Sequence, residues 1–217
     1  MKKVRILIAD DHELMRKGLR ATLETHSGWE IVSEATNGRA LVEQARALKP
    51  DIVVTDISMP ELNGLEATRR ICAAFPKARV LILTVHESEQ VVREVLDADA
   101  KGYLLKSDAG RDLVTAIESL LKDRLCFTSK VARLVLGGFL SGAPAKIKEE
   151  IDSPLSPRER EIVQLVAEGK SSKEIAAGRG ISVKTAEAHR SNLMRKLGFH
   201  SVSEVVRYAI RNKIVEA

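Results

Sequence analysis

Along residues 1–122 two kinds of hydrophobic spacing take turns. Short β-branched runs stand at 4–9, 30–35, 51–55, 79–84 and 102–105. Between them, at 13–25, 38–48, 64–74, 88–97 and 108–121, apolar positions recur every three or four residues. The first spacing reads as strand and the second as amphipathic helix. Strands alternating with helices of about ten residues predict βαβ units on a parallel sheet. The runs ILIA, IVVT and VLILT show no polar alternation, as expected where helices cover both faces of the sheet. Five such units predict a small doubly wound α/β domain.

Past residue 122 the pattern changes. One helix is predicted at about 129–136, and the stretch 137–153, rich in Gly, Ser, Ala, Pro and charges, reads as a flexible linker. From Pro154 onward the spacing is helical only. The segment LSPREREIVQLVAEG opens with Ser156 as N-cap, Pro157 at the first helical position and Glu159 three residues after the cap, and it stops at Gly169. SSKEIAAG gives a short helix, and ISVKTAEAHRSNLMRKLG a longer one between Ser182 and Gly198. A fourth helix covers 203–212. Two helices joined by a tight glycine-containing turn make a helix-turn-helix pattern. The predicted organisation is therefore an α/β domain at 1–122, a connector at 123–153 and a small all-α four-helix domain at 154–217.

Composition narrows the function. The chain has 217 residues, 44% apolar and 30% charged. No apolar run reaches the length of a membrane span, and the first residues make a poor signal peptide. Cys72 and Cys126 fit neither a metal spacing nor a disulfide framework. A cytoplasmic protein is expected. Net charge is +5, and all of it sits in the last 64 residues, which hold 12 Lys and Arg against 7 Asp and Glu; residues 1–153 hold 23 of each. A basic small domain is compatible with nucleic acid.

The chemistry of the first domain lies in the residues just past each strand. Strand C-termini of a parallel sheet share one edge, where ligands bind. After the first run come Asp10 and Asp11, and after the third comes Asp56. The fourth ends at Thr84, with His86 and Glu87 close behind it; Lys106 comes directly after the fifth. Three carboxylates together repel one another, and a hard cation such as Mg²⁺ relieves this. An oriented aspartate beside a cation can attack a phosphoryl group, with an ammonium neutralising the transferring oxygens. His12, just beyond the pair, reads as the opening of the first helix.

This ordered set, with DISMP around Asp56 and GYLLK around Lys106, resembles the receiver domain of two-component response regulators. The resemblance implies a flavodoxin-like sheet of order 2-1-3-4-5 and a sensor histidine kinase as phosphodonor. Asp56 matches the phospho-acceptor. Asp10, Asp11 and Asp56, with the backbone carbonyl of Ser58, match the Mg²⁺ ligands. Thr84 and Lys106 match the switch hydroxyl and the phosphate-binding lysine, and Tyr103 the aromatic that moves with Thr84.

In the second domain, the helix VKTAEAHRSNLMRKL has two faces at about 100° per residue. With Leu193 centred inward, Ala186, Leu197 and His189 fall within about 40° of it. Lys184, Ser191 and Arg195 fall within about 20° of the opposite direction, Ala188 about 40° and Glu187 about 60° from it. A small, polar outer face suits the major groove. Arg190 and Lys196 lie at the flanks, where phosphates would run, and Ser171, Ser172 and Lys173 open the preceding helix at an N-terminus suited to phosphate. Thr185 joins this candidate DNA-contacting set.

The span 155–205 resembles the LuxR-type helix-turn-helix of the NarL/FixJ response-regulator subfamily, with two departures. Arg179 stands where an apolar residue is expected before IS, and Ala186 where Val is usual. The arginine is expected to run its stem along the surface, with its head in water or on phosphate. The resemblance implies double-stranded DNA as partner, a homodimer on phosphorylation made partly through the fourth helix, and room for RNA polymerase. It also implies a surface at about 88–121 remodelled by phosphorylation, so that the recognition helix gains access to DNA. The chain's own chemistry would be limited to accepting the phosphoryl group and slowly losing it. A metal-dependent phosphohydrolase would also use a strand-end aspartate, but typically carries a second acid two residues later, where this chain has Ser58. A DNA-binding protein with an unphosphorylated receiver would not need the intact acid set.

Overall fold

Five parallel strands form the sheet of the first unit: β1 (Val4–Ala9), β2 (Trp29–Ala35), β3 (Ile52–Asp56), β4 (Arg79–Thr84) and β5 (Gly102–Leu105). Their spatial order is β2-β1-β3-β4-β5. The computed structural model describes residues 3–85, 88–127, 155–212 and 214–215. The chain divides into two compact units, 1–144 and 145–217. The expected helix at 129–136, the linker at 137–153, and His86 with Glu87 lie outside the described residues.

Helices α1 (Glu13–Glu24), α2 (Gly38–Leu48), α3 (Gly64–Ala74), α4 (Glu89–Asp97) and α5 (Ala109–Leu121) alternate with the strands. One face of the sheet buries Ile6, Ile8, Val54 and Leu83 against Leu19 and Leu23 of α1 and Leu113 and Ile117 of α5. The opposite face buries Leu7, Val53 and Val80 against Leu41 of α2 and Ile71 of α3. It continues through Ile82 and Tyr103 against Val91 and Val95 of α4. All five residues of the central strand β3 are buried, which explains the apolar run Ile52, Val53 and Val54 that precedes Thr55 and Asp56. The winding reverses between β1 and β3, which places the ends of both strands at a topological switch point.

The loop after β3 is pinned to the strand it leaves. A Cβ on Gly64 would lie 1.8 Å from the carbonyl oxygen of Asp56. The first turn of α3 therefore reaches the end of β3 only because residue 64 has no side chain. Asn63 caps α3, its side chain accepting the Glu66 N–H at 2.9 Å.

In the second unit, α6 (Pro157–Ala167), α7 (Ser172–Arg179), α8 (Val183–Leu197) and α9 (Val202–Arg211) enclose one core. Its members include Ile162, Val163, Val166, Ile175, Ala186, Leu193, Val205 and Ala209. Capping boxes open α6 at Ser156, α7 at Ser171 and α9 at Ser201. The turn between α7 and α8 passes through Gly180 at φ +63, a left-handed conformation that other residues adopt at a cost. No helix among the described residues is long and apolar enough to cross a membrane.

Gly64→Ala should destabilise the α/β unit by about 2 kcal/mol. Gly110→Ala, where an added Cβ meets nothing within 4 Å, should be neutral or stabilising. Urea denaturation of the two variants beside the parent checks both signs.

Candidate functional site

Four strand ends build the first site. Asp10 follows β1 and is fully buried; Asp56 is the last residue of β3 and is 3% exposed. Lys106 opens a short 3₁₀ turn after β5. Its Nζ lies 2.8 Å from Asp56 Oδ2 and 2.8 Å from Asp10 Oδ2. The bond to Asp56 is well directed, whereas Asp10 Oδ2 faces the ammonium without a hydrogen bond. The remaining oxygens meet backbone: Asp10 Oδ1 accepts the His12 N–H at 2.8 Å, and Asp56 Oδ1 accepts the Ile57 N–H at 2.7 Å. Asp11 points to solvent, with one-third of its side chain exposed.

Burial of the Asp56 carboxyl pushes its pKa up to about 6, against the opposing bond from Lys106, and the like charge of Asp10 adds to the rise. Burial pulls the Lys106 ammonium down, but its ion pairs with Asp10 and Asp56 outweigh that and hold it above its ordinary value. One cation thus faces two buried carboxylates and a third beside them. Ligand atoms from Asp10, Asp11, His12 and Asp56 all lie within 4.8 Å of one another. The donor set is mostly carboxylate oxygen, and Asp10 Oδ2 is a buried oxygen without a hydrogen bond. Both features fit a hard divalent cation.

Thr84, the last residue of β4, is 1% exposed. Tyr103 is also 1% exposed and packs inward with Ile57, Ile82 and Val91. Tyr103 pairs in register with Ile82, so it shares a sheet face with Thr84. Ser58 sits half-buried two residues after Asp56.

Two residues at the start of α1 border this site: His12, expected as the opening of that helix, and Arg16, which the pattern along the chain did not single out. His12 is the N-cap residue of α1 but makes no side-chain cap. Its Nδ1 instead lies 2.9 Å from Asp11 Oδ1 and 3.3 Å from Asp10 Oδ1. Arg16, one turn into α1, donates Nη1 to the carbonyl of Asp10 at 2.7 Å and meets Glu34 of β2 at 3.4 Å. A helical spacing of four from His12 is the only cue the sequence offers for Arg16.

The second site is the outer face of α8. Lys184, Thr185, Glu187, Ala188, Ser191 and Arg195 are all exposed, while Ala186 and Leu193 are buried. Ser182 caps the helix and its hydroxyl lies 2.8 Å from the Thr185 hydroxyl. The Arg195 guanidinium donates to Asn192 Oδ1 at 2.7 Å. The flanking cations have partners inside the unit. Arg190 donates to Ser172 Oγ on α7 at 3.1 Å, and Lys196 lies 2.7 Å from Glu159 Oε2 in the capping box of α6. The Ser171 hydroxyl is committed to Glu174, and Lys173 is exposed.

Two expectations are corrected. His189 is exposed rather than turned into the core. It lies at the edge of the inner face, where α6, α7 and α8 leave a cavity of about 240 Å³ that it lines with Ser156, Ile162 and Asn192. Arg179 does not hold its head in water. Nη1 lies 2.8 Å from Glu161 Oε2, with the two side chains 17% and 3% exposed. An acidic residue buried on α6 offers the arginine an interior partner, so the departure at 179 is matched inside the fold. The second departure, Ala186, is fully buried in the same core.

A doubly wound sheet with acids gathered at its switch point, followed by a capped helix-turn-helix, defines a receiver-type regulator with a DNA-binding-type helical unit. The chain matches the family model for the response regulator receiver domain over residues 6–118. It matches that for bacterial regulatory proteins of the luxR family over 153–209. The chain belongs to the response-regulator family, as a receiver domain joined to a LuxR-type domain. The transcriptional regulatory protein MctR of Rhizobium johnstonii is 37% identical over 213 residues, covering 98% of this chain and 96% of that protein. The oxygen regulatory protein NreC of Staphylococcus aureus is 37% identical over 216 residues, covering 98% of this chain and all of NreC. Among solved structures, the RcsB response regulator of Salmonella typhimurium superposes with a TM-score of 0.57 at 30% identity, covering 96% of this chain and 98% of that one. An RcsB–DNA complex gives the same score and identity over 95% of this chain and 98% of that one.

The raised pKa of Asp56 has a consequence for stability. In the unfolded chain the group ionises near 3.8, in the fold near 6. The fold therefore loses stability as pH rises from about 4 through about 6, by an amount on the order of 3 kcal/mol. Asp56→Asn removes the buried charge. Its thermal midpoint in EDTA should exceed the parent's at pH 7, and the gap should close below pH 4. Thermal melts across pH 3.5–7.5 check this.

Proposed function

We propose that this chain is a phosphorylation-dependent transcriptional regulator that accepts a phosphoryl group on Asp56 from a sensor histidine kinase and then binds promoter DNA through α8. The observation that carries the reading is the bridge of Lys106 between Asp10 and Asp56 across the ends of β1, β3 and β5. Domain limits follow the sequence: receiver 1–122, connector 123–153, DNA-binding domain 154–217.

In the transfer, an oxygen of the Asp56 carboxylate forms a bond to phosphorus as the donor's N–P bond breaks, and the imidazole of the kinase histidine departs. Lys106 is already placed to leave its carboxylate bridge for a phosphoryl oxygen. Asp10, Asp11 and Asp56, with the carbonyl of Ser58, would hold Mg²⁺, which supplies positive charge beside the transferring group. Asp11, the more exposed of the pair, would supply an oxygen to the cation, while Asp10 has one oxygen on the His12 N–H and the other beside Lys106. Arg16 fixes the Asp10 carbonyl and so the direction in which the acidic pair leaves the strand.

The new phosphate draws the Thr84 hydroxyl toward it. Tyr103, on the same face two positions along the neighbouring strand, follows into the space released. That rearrangement biases α4, β5 and α5 toward the active form, a population shift set by how much better phosphate suits it. The phosphorylated chain pairs as a homodimer on DNA, where RNA polymerase is a further partner, and slow hydrolysis of the acyl phosphate resets it. The chain catalyses no turnover of an external substrate and works in the cytoplasm.

Treatment of the full chain with acetyl phosphate and Mg²⁺ should tighten its binding to a selected duplex at fixed salt, and Asp56→Asn should show no such gain. For the phosphorylated chain, the slope of log K against log salt should fall in magnitude by about 0.9 in Lys184→Gln. It should hold in Lys196→Gln, whose ammonium is committed to Glu159. Fluorescence anisotropy from 50 to 250 mM salt measures both.

A further inference from the structure

The outer face of α8 carries one acidic side chain, Glu187, in the middle of the surface proposed to meet DNA. It is exposed and has no hydrogen-bond or ion-pair partner among the described residues. Lys184, one turn before it, forms no ion pair with it, and neither Arg190 nor Lys196 is available, since each is held within the unit. Ala188 beside it and Ser191 one turn on are small, so the helix backbone can approach a groove floor closely at this point.

A carboxylate is acceptor-only. Phosphate oxygens repel it, so it has no role in the backbone contacts that position a protein on DNA. In the major groove its partners are the exocyclic amines of cytosine and adenine. Adenine sets its N7 acceptor beside the amine, which repels the second carboxylate oxygen. Cytosine offers its amine on an edge with no acceptor of its own in that groove. An unpaired, exposed carboxylate flanked by small residues on the groove-facing side is therefore a reader of cytosine. The basic residues of the same helix are divided between holding its pose and meeting phosphate.

We propose that Glu187 determines specificity by selecting a cytosine in the recognised duplex, an assignment that rests on the DNA-binding reading of α8. The test is selection from a random duplex pool by the phosphorylated full chain at fixed salt, with the parent, Glu187→Ala and Glu187→Gln. Unchanged thermal midpoints establish that the exposed substitutions leave the fold intact. The parent should enrich sequences sharing a cytosine, and replacing that C·G pair by T·A, which puts an acceptor where the amine was, should weaken binding about tenfold or more. In Glu187→Ala the same replacement should cost less than about twofold, and Glu187→Gln should shift the position toward adenine. If Glu187→Ala enriches the same cytosine as strongly as the parent, or no enriched position responds to residue 187, the proposal is overturned while DNA binding stands. If the parent enriches nothing, the DNA-binding reading fails and the proposal with it.

Discussion

One ammonium between two buried carboxylates organises this protein. Lys106 reaches from the end of β5 to Asp56 at the end of β3 and Asp10 just past β1, 2.8 Å from each. Removing either acid would leave the rest of the cluster with a different charge, and removing the lysine would leave two buried carboxylates facing each other. Buried ionic groups cost much unless paired and hydrogen-bonded, and this cluster is paired only in part. Asp10 Oδ2 lacks a directed bond, and burial holds the Asp56 carboxyl near pH 6. The sheet order brings these groups together because β1 and β3 are neighbours at the point where the winding reverses. The surrounding fold holds the cluster still: Gly64 lets α3 press on the Asp56 carbonyl, and Arg16 grips the Asp10 carbonyl. What remains unsatisfied is negative charge, since the carboxylates of Asp10, Asp11 and Asp56 lie together and Lys106 bridges two of them.

The helical unit solves a different problem, how to present a recognition surface without deforming it. Contacts distant in sequence hold α8 at its middle and at its last turn. Arg190 ties its middle to the start of α7, and Lys196 ties its last turn to the capping box of α6. The Glu161–Arg179 pair fastens the end of α7 to α6 from inside. Breaking such a buried pair by removing one partner costs far more than replacing both. The residues left over on the outer face, Lys184, Glu187, Ala188, Ser191 and Arg195, are those without a structural commitment beyond their own helix among the described residues.

Much of this is legible in the sequence because it is written in local pattern. The continuous apolar runs place β1, β3 and β4 to within a residue or so, and Ser and Gly mark the helix ends from 156 onward. The acid set is legible because strand ends in a parallel sheet converge, so Asp10, Asp56 and Lys106 can be placed together from order alone. Partners far apart along the chain are not legible in this way. Glu161 looks like a surface residue of α6 until α7 packs over it, 18 residues on. Lys196 and Glu159 are 37 residues apart, and no periodicity links them. His189 fails for a related reason: a helical angle tells which way a side chain leaves its own helix, not whether a neighbour stands there to cover it.

On the proposed reading the partly paired carboxylate cluster takes up a phosphoryl group at one position, Asp56. The most direct measurement is mass mapping of the full chain after incubation with acetyl phosphate and Mg²⁺, with the acyl phosphate trapped before digestion. A single adduct on Asp56, absent without the cation, is the predicted result. An adduct on Asp10 or Asp11, or none on the folded parent protein, would contradict it.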